Sequence, residues 1–165
     1  MKRPSIWCAP ALACALALAL GAAVASAAPP PGFVKPGSGE KCPVCGMFVS
    51  KYPDWVAELL FKDGSRAVFD GPKDLFRYFY DARQFGGTKG RGDVAAVFVT
   101  DYYTLEPIDG KPAFYVIGSD VYGPMGKELI PFARRADAEE FLRDHGGRRI
   151  VVFDEVEPEL GGLVE

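Results

Sequence analysis

Two thiols and a thioether lie within the six residues Cys42-Pro43-Val44-Cys45-Gly46-Met47, and a second thioether, Met125, sits in the turn Gly123-Pro124-Met125-Gly126. Sulfur at this density points to soft-metal or redox chemistry. Cys-x-x-Cys brings two sulfurs within reach of one ion, while Pro43 stiffens the turn and Gly46 permits a backbone bend that other residues resist. Structural zinc wants four closed ligands, normally from two such knuckles, and this chain has one unless two copies share an ion. A thiol–disulfide exchange pair is a further alternative, and a simple disulfide another. Met47 weighs for Cu(I), which accepts thiolate and thioether at low coordination number. Zinc and disulfide exchange have no use for it. A methionine alone is usually packing material. Met125 departs from that pattern, because a Gly-Pro-Met-Gly turn is a poor place for a core side chain. Cys42, Cys45, Met47 and Met125 are therefore the candidate ligands, with Cu(I) the expected ion.

Little else in the chain competes for chemistry. His145 is the one histidine and falls at an expected helix end, where an imidazole can serve the C-terminal carbonyls. There is no Ser/His/Asp set and no phosphate-binding loop, so no catalytic residues are assigned and the chain reads as a non-enzyme. The acidic residues are scattered and read as solvated surface. The pairs Arg134-Arg135 and Arg148-Arg149 read as surface charge.

These residues belong to the later part of the chain. Lys2 and Arg3, the apolar run 9–25 and the small residues Ala25-Ser26-Ala27 read as a signal peptide, residues 1–27, cleaved near Ala27/Ala28. The alternatives are a retained anchor and lipid attachment at Cys14. Cleavage removes Cys8 and Cys14, leaves Cys42 and Cys45 as the only thiols, and moves the formal charge from −3 to −5. A disulfide framework is thereby excluded, and nothing supports a nucleic-acid partner. A basic protein surface would be compatible. The remainder divides into a Pro/Gly-rich flexible tether (28–40), one domain (41–154) and an acidic tail (155–165).

The elements that must position the sulfurs follow from periodicity and turns. Residues 48–52 read as a short extended segment. Residues 55–61 and 66–69 read as strands joined by the turn Lys62-Asp63-Gly64-Ser65. Asp70 is expected to cap a helix with Pro72 in its first turn and Leu75, Phe76, Tyr78, Phe79 and Ala82 on its apolar face. Residues 94–100, 112–118, 128–132 and 149–153 read as strands, with loops at 101–111 and 119–126. Asp137 is expected to cap a second helix, through Asp144, that Gly146-Gly147 stops. A faint repeat lays residues 67–79 over 130–142, matching Phe69 with Phe132 and Asp74 with Asp137. Two ββα units would place Met47 and Met125 in related loops.

From Cys42 to about Val152 the chain resembles the NosL family, copper-binding accessory proteins of nitrous oxide reductase maturation. The resemblance rests on Cys45-Gly46-Met47, on the run from Lys111 to Ser119, on Gly123-Pro124-Met125-Gly126, and on Pro131-Phe132 followed by the alanine-containing helix. It implies an α+β domain of two pseudo-duplicated, treble-clef-like ββα halves. It also implies a periplasmic Cu(I) chaperone that hands copper to a copper-accepting client enzyme, or to an assembly factor at a membrane transporter. By position, Cys45, Met47 and Met125 match the family's Cys-x-Met and Gly-Met-Gly elements, and Cys42 is an extra thiol. Many relatives are lipoproteins, whereas this leader has a soluble-type cleavage site.

Overall fold

The computed structural model describes residues 32–157. The expected signal peptide, the start of the tether and the end of the acidic tail lie outside the described residues. Strand β1 (Ala57–Phe61) folds back through the Asp63-Gly64 turn onto β2 (Arg66–Phe69), antiparallel, with Ala57 opposite Phe69 and Leu60 opposite Arg66. Helix α1 (Pro72–Tyr80) follows at once. Strand β3 (Val94–Thr100) then returns to the other edge of β1, and β4 (Pro107–Asp109) pairs outside β3. The first sheet thus has the order β2-β1-β3-β4.

A second antiparallel sheet follows. Strand β5 (Phe114–Ile117) pairs with β8 (Ile130–Phe132), helix α2 (Arg135–Asp144) follows, and β9 (Arg149–Val152) returns to the free edge of β5. Its order is β8-β5-β9. Between β5 and β8 a small hairpin, β6 (Tyr122–Gly123) and β7 (Gly126–Lys127), carries Pro124 and Met125 at its tip. The fold is α+β with antiparallel sheets. Phe69 and Phe132 end the strands before the two helices, and Asp74 and Asp137 lie in the helices' first turns.

One apolar core runs from the knuckle through α1 into the second sheet, joining Cys42, Val49, Phe69, Leu75, Phe76, Tyr115 and Phe153. Phe76 of α1 meets Tyr115 of β5 edge-on at 5.3 Å and Phe153 at 5.0 Å. Burying such a ring contributes about 2–3 kcal/mol. A smaller cluster under α2 centres on Phe132 and Phe141.

Several local expectations need correction. Residues 49–51 form a 3₁₀ turn, not an extended segment. Pro107 begins β4, which the loop reading missed; as the outermost strand of its sheet, β4 has no further ladder for which a proline would lack its N–H. Neither expected aspartate caps its helix. The N-cap of α1 is Gly71 and that of α2 is Arg134, without side-chain caps. Asp137 instead accepts two hydrogen bonds from the Arg134 guanidinium, at 2.7 and 2.5 Å.

The larger correction concerns the acids. Glu58, Asp70, Asp74, Asp101, Glu128 and Asp137 are all buried. Burial of a carboxylate is tolerable only with partners. Asp101 accepts from the Tyr103, Thr104 and Ala133 amides. Glu58 takes the guanidinium of Arg66, which also holds Glu40. The expected tether, from residue 32 onward, lies on the first sheet: Phe33 packs edge-on against Phe98, and Arg66 donates to the Val34 carbonyl.

Candidate metal centre

The Cys-x-x-Cys loop closes on its own backbone. The Cys42 amide donates to the Met47 carbonyl at 2.9 Å, and the Gly46 amide to the Cys42 carbonyl at 2.9 Å. Lys41 and Phe48 form the bridge at its base. Gly46 has φ +79°, a left-handed conformation that a side chain would strain, which is why glycine must follow Cys45.

The open side of this knuckle faces the start of α1. Asp70, just before the extended N-cap Gly71, and Asp74, in the helix's first turn, both reach the thiols. The Cys45 thiol donates to Asp70 at 3.2 Å, and the Cys42 thiol to Asp74 at 3.3 Å. One donor atom from each of Cys42, Cys45, Asp70 and Asp74 lies within 4.8 Å of the other three. Cys42, Asp70 and Asp74 are each only 1% exposed, so the cluster opens to solvent on the half-buried Cys45 side. Both cysteines are free thiols. Sequence reasoning missed the two aspartates as site residues. No local signal marked them, because their partner thiols lie 25 and 32 residues earlier in the chain.

Burial raises both thiols, and Asp70 adds to it. Cys42 is pushed far above the ordinary range, and Cys45 up to about 11. The cysteines are therefore protonated at neutral pH, and a cation that neutralises the pocket must displace those protons. Asp70→Asn removes one of the groups that opposes thiolate formation. Its Cys45 should alkylate with iodoacetamide about tenfold faster at pH 8 than the wild type. An unchanged rate would mean that burial alone sets Cys45.

Met47 is half-buried on the same loop, its sulfur 3.6 Å from the Tyr52 hydroxyl, which donates to it. Met125 is 39% exposed at the hairpin tip, and its backbone is fastened to the same helix end. Lys73 Nζ donates to the Met125 carbonyl at 2.6 Å. Glu128, just after β7 and 2% exposed, accepts from the Lys73 amide at 2.5 Å and from the Leu129 amide at 3.0 Å. It thereby caps α1 from 55 residues away, where Gly71 cannot. A Cβ on Gly71 would stand 2.3 Å from Glu128 Oε2, so this close approach requires glycine. His145 is the C-cap of α2, its Nδ1 3.0 Å from Asp120 and its ring stacked on Phe141 at 4.3 Å. It contributes nothing to the four-residue cluster.

The family model NosL matches residues 34–161. The copper-binding lipoprotein NosL of Stutzerimonas stutzeri is 28% identical over 127 residues, which cover 73% of this chain and 64% of that protein's length. The crystal structure of the copper chaperone NosL from Shewanella denitrificans aligns with a TM-score of 0.65 at 28% identity, covering 77% of this chain and 97% of that one. The solution structure of apo-NosL from Achromobacter cycloclastes aligns over 64% of this chain and 87% of that one, at 20% identity and a TM-score of 0.46. With more than half its length matched by the family model and the fold shared with the Shewanella protein, the chain belongs to the NosL family.

Proposed function

We propose that this protein is an exported Cu(I) carrier that holds copper on Cys42, Cys45, Met47 and Met125 and passes it to a copper-accepting client. The observation that carries the reading is the meeting of two free thiols with the helix end to which the Met125 hairpin is fastened. Thiolates supply charge and strength; thioethers supply softness and leave readily. Low coordination number lets a partner's sulfur or imidazole replace the donors one at a time. Export is supported by the leader-like start of the sequence, and the Stutzerimonas relative is a lipoprotein. Maturation of nitrous oxide reductase is the client process that family membership favours. Among the described residues no helix is long and apolar enough to cross a membrane.

Two other readings weaken on specific grounds. An efficient exchange pair holds a thiol whose pKa is lowered, whereas burial drives both of these upward. A zinc ion shared between two copies is not needed to complete a ligand set, since Cys42, Cys45, Asp70 and Asp74 of one chain already lie within 4.8 Å of one another, and zinc would leave Met47 and Met125 without a role.

The test is a Cu(I) competition titration on the reduced protein in weak buffer. One Cu(I) per chain should bind with release of about two protons, so that affinity rises by up to about 100-fold per pH unit between pH 6 and 8. Binding without proton release would remove the thiols from the site. One zinc per two chains, with no tight Cu(I), would favour the shared-zinc reading.

A further inference from the structure

We infer that the two sulfur-bearing loops form a docking face for an acidic protein surface, the surface surrounding the copper acceptor of the partner. This inference rests on the Cu(I)-carrier reading and names the chemistry of its partner. The chain as a whole is acidic, with formal charge −3. Around the site the balance reverses. No acidic residue occurs from Lys41 to Pro53 or from Tyr122 to Lys127. Lys41 and Lys51 place their ammonium groups over the Phe48 ring, at 4.8 and 5.6 Å from its centroid. Lys73 reaches the Met125 carbonyl, and Lys127 pairs with Tyr122 across the hairpin. Of the acids in and beside this region, Asp70, Asp74 and Glu128 are buried, Glu40 is held by Arg66 and Asp120 by His145, which leaves Asp54 as the exposed acid at the end of the first loop.

The same face is apolar at its tips. Six large hydrophobic side chains are exposed among the described residues, and three of them, Phe48, Tyr122 and Met125, stand on the two sulfur-bearing loops. Copper cannot leave by ligand exchange unless a partner approaches this face. A soft apolar centre with a lysine rim selects a partner whose rim is acidic, and such complementarity acts chiefly on the rate of encounter.

The experiment uses two synthetic Cu(I)-acceptor peptides of equal Cu(I) affinity, with the same Met/His core, one flanked by glutamates and the other by lysines. Transfer from the copper-loaded chain is followed by stopped flow at low and high salt. At about 20 mM salt the acidic peptide should take copper at least about tenfold faster, and the two should approach parity near 0.5 M. Lys41→Glu, Lys51→Glu and Lys127→Glu combined should reverse the preference while leaving Cu(I) stoichiometry at one per chain. Lys51→Glu alone should reduce it, should the triple variant fold poorly. Equal rates for the wild type at low salt, or a preference that the charge reversals do not move, would overturn the docking face while leaving the carrier reading intact. A chain that binds no Cu(I) stoichiometrically would overturn both.

Discussion

Cys45→Ser should lower Cu(I) affinity by about 100- to 1,000-fold, or about 3–4 kcal/mol, the loss of one of two thiolate donors. The substitution is close to isosteric and leaves Asp70 with a hydroxyl in place of the thiol it now accepts from at 3.2 Å. The knuckle's shape depends on the backbone hydrogen bonds of Cys42 and Gly46, which serine does not disturb. Folding stability should therefore change by less than about 1 kcal/mol, which separates loss of a ligand from loss of the fold. Cys42→Ser should behave differently. The residue is 1% exposed and belongs to the main core, so a stability loss of about 1–2 kcal/mol should accompany the loss of copper. Met47→Leu and Met125→Leu should each weaken Cu(I) by about tenfold, since thioethers are the weaker donors. The measurement is competition against a chromogenic Cu(I) chelator. A Cys45→Ser protein that matches the wild type would remove this thiol from the ligand set.

Glu128→Ala should cost about 2–4 kcal/mol and lower the melting temperature by about 10 °C. The change leaves the Lys73 and Leu129 amides without their acceptor and opens a space against Gly71 and Gly123. The same residue makes stability depend on pH. Burial is the main cause that lifts its carboxyl, to about 8 from an ordinary 4.5; the two amide donors and the Lys73 charge pull the other way. The folded protein therefore holds a proton that the unfolded chain has lost across that interval. The stabilisation is complete below about pH 4.5 and declines as pH rises towards 8. Glu128→Gln should flatten this dependence, leaving the variant relatively more stable at pH 8 than at pH 5 when each is compared with the wild type. Chemical denaturation at the two pH values checks this; parallel behaviour of both proteins would mean that Glu128 is not protonated in the folded state.

Where residues signal through their immediate neighbours, the chain was legible. Arg66–Phe69 and Val94–Thr100 are the strands that their β-branched and aromatic content predicts, and α1 follows its apolar spacing. The knuckle announced itself because sulfur is scarce. The other half of the centre did not. An aspartate before Gly-Pro is an ordinary helix opener, and nothing local distinguishes Asp70 from one; its partner thiol lies 25 residues earlier. Glu128 reads as surface until Lys73, 55 residues back, supplies its donor. Capping failed as a guide for the same reason, because a distant carboxylate took the place of the local one. Composition misled in a different way: a net acidic chain gave no hint that Asp70, Asp74 and Glu128 are buried while Lys41 and Lys51 stand exposed on the knuckle.

The self-closing loop at residues 42–47 bears on how cargo leaves. Many small metal modules collapse when stripped of their ion, because the ion is what ties the chain together. Here the amides of Cys42 and Gly46 do the tying. An emptied binding loop can thus keep its outline, ready to be refilled, and unloading need not be coupled to unfolding.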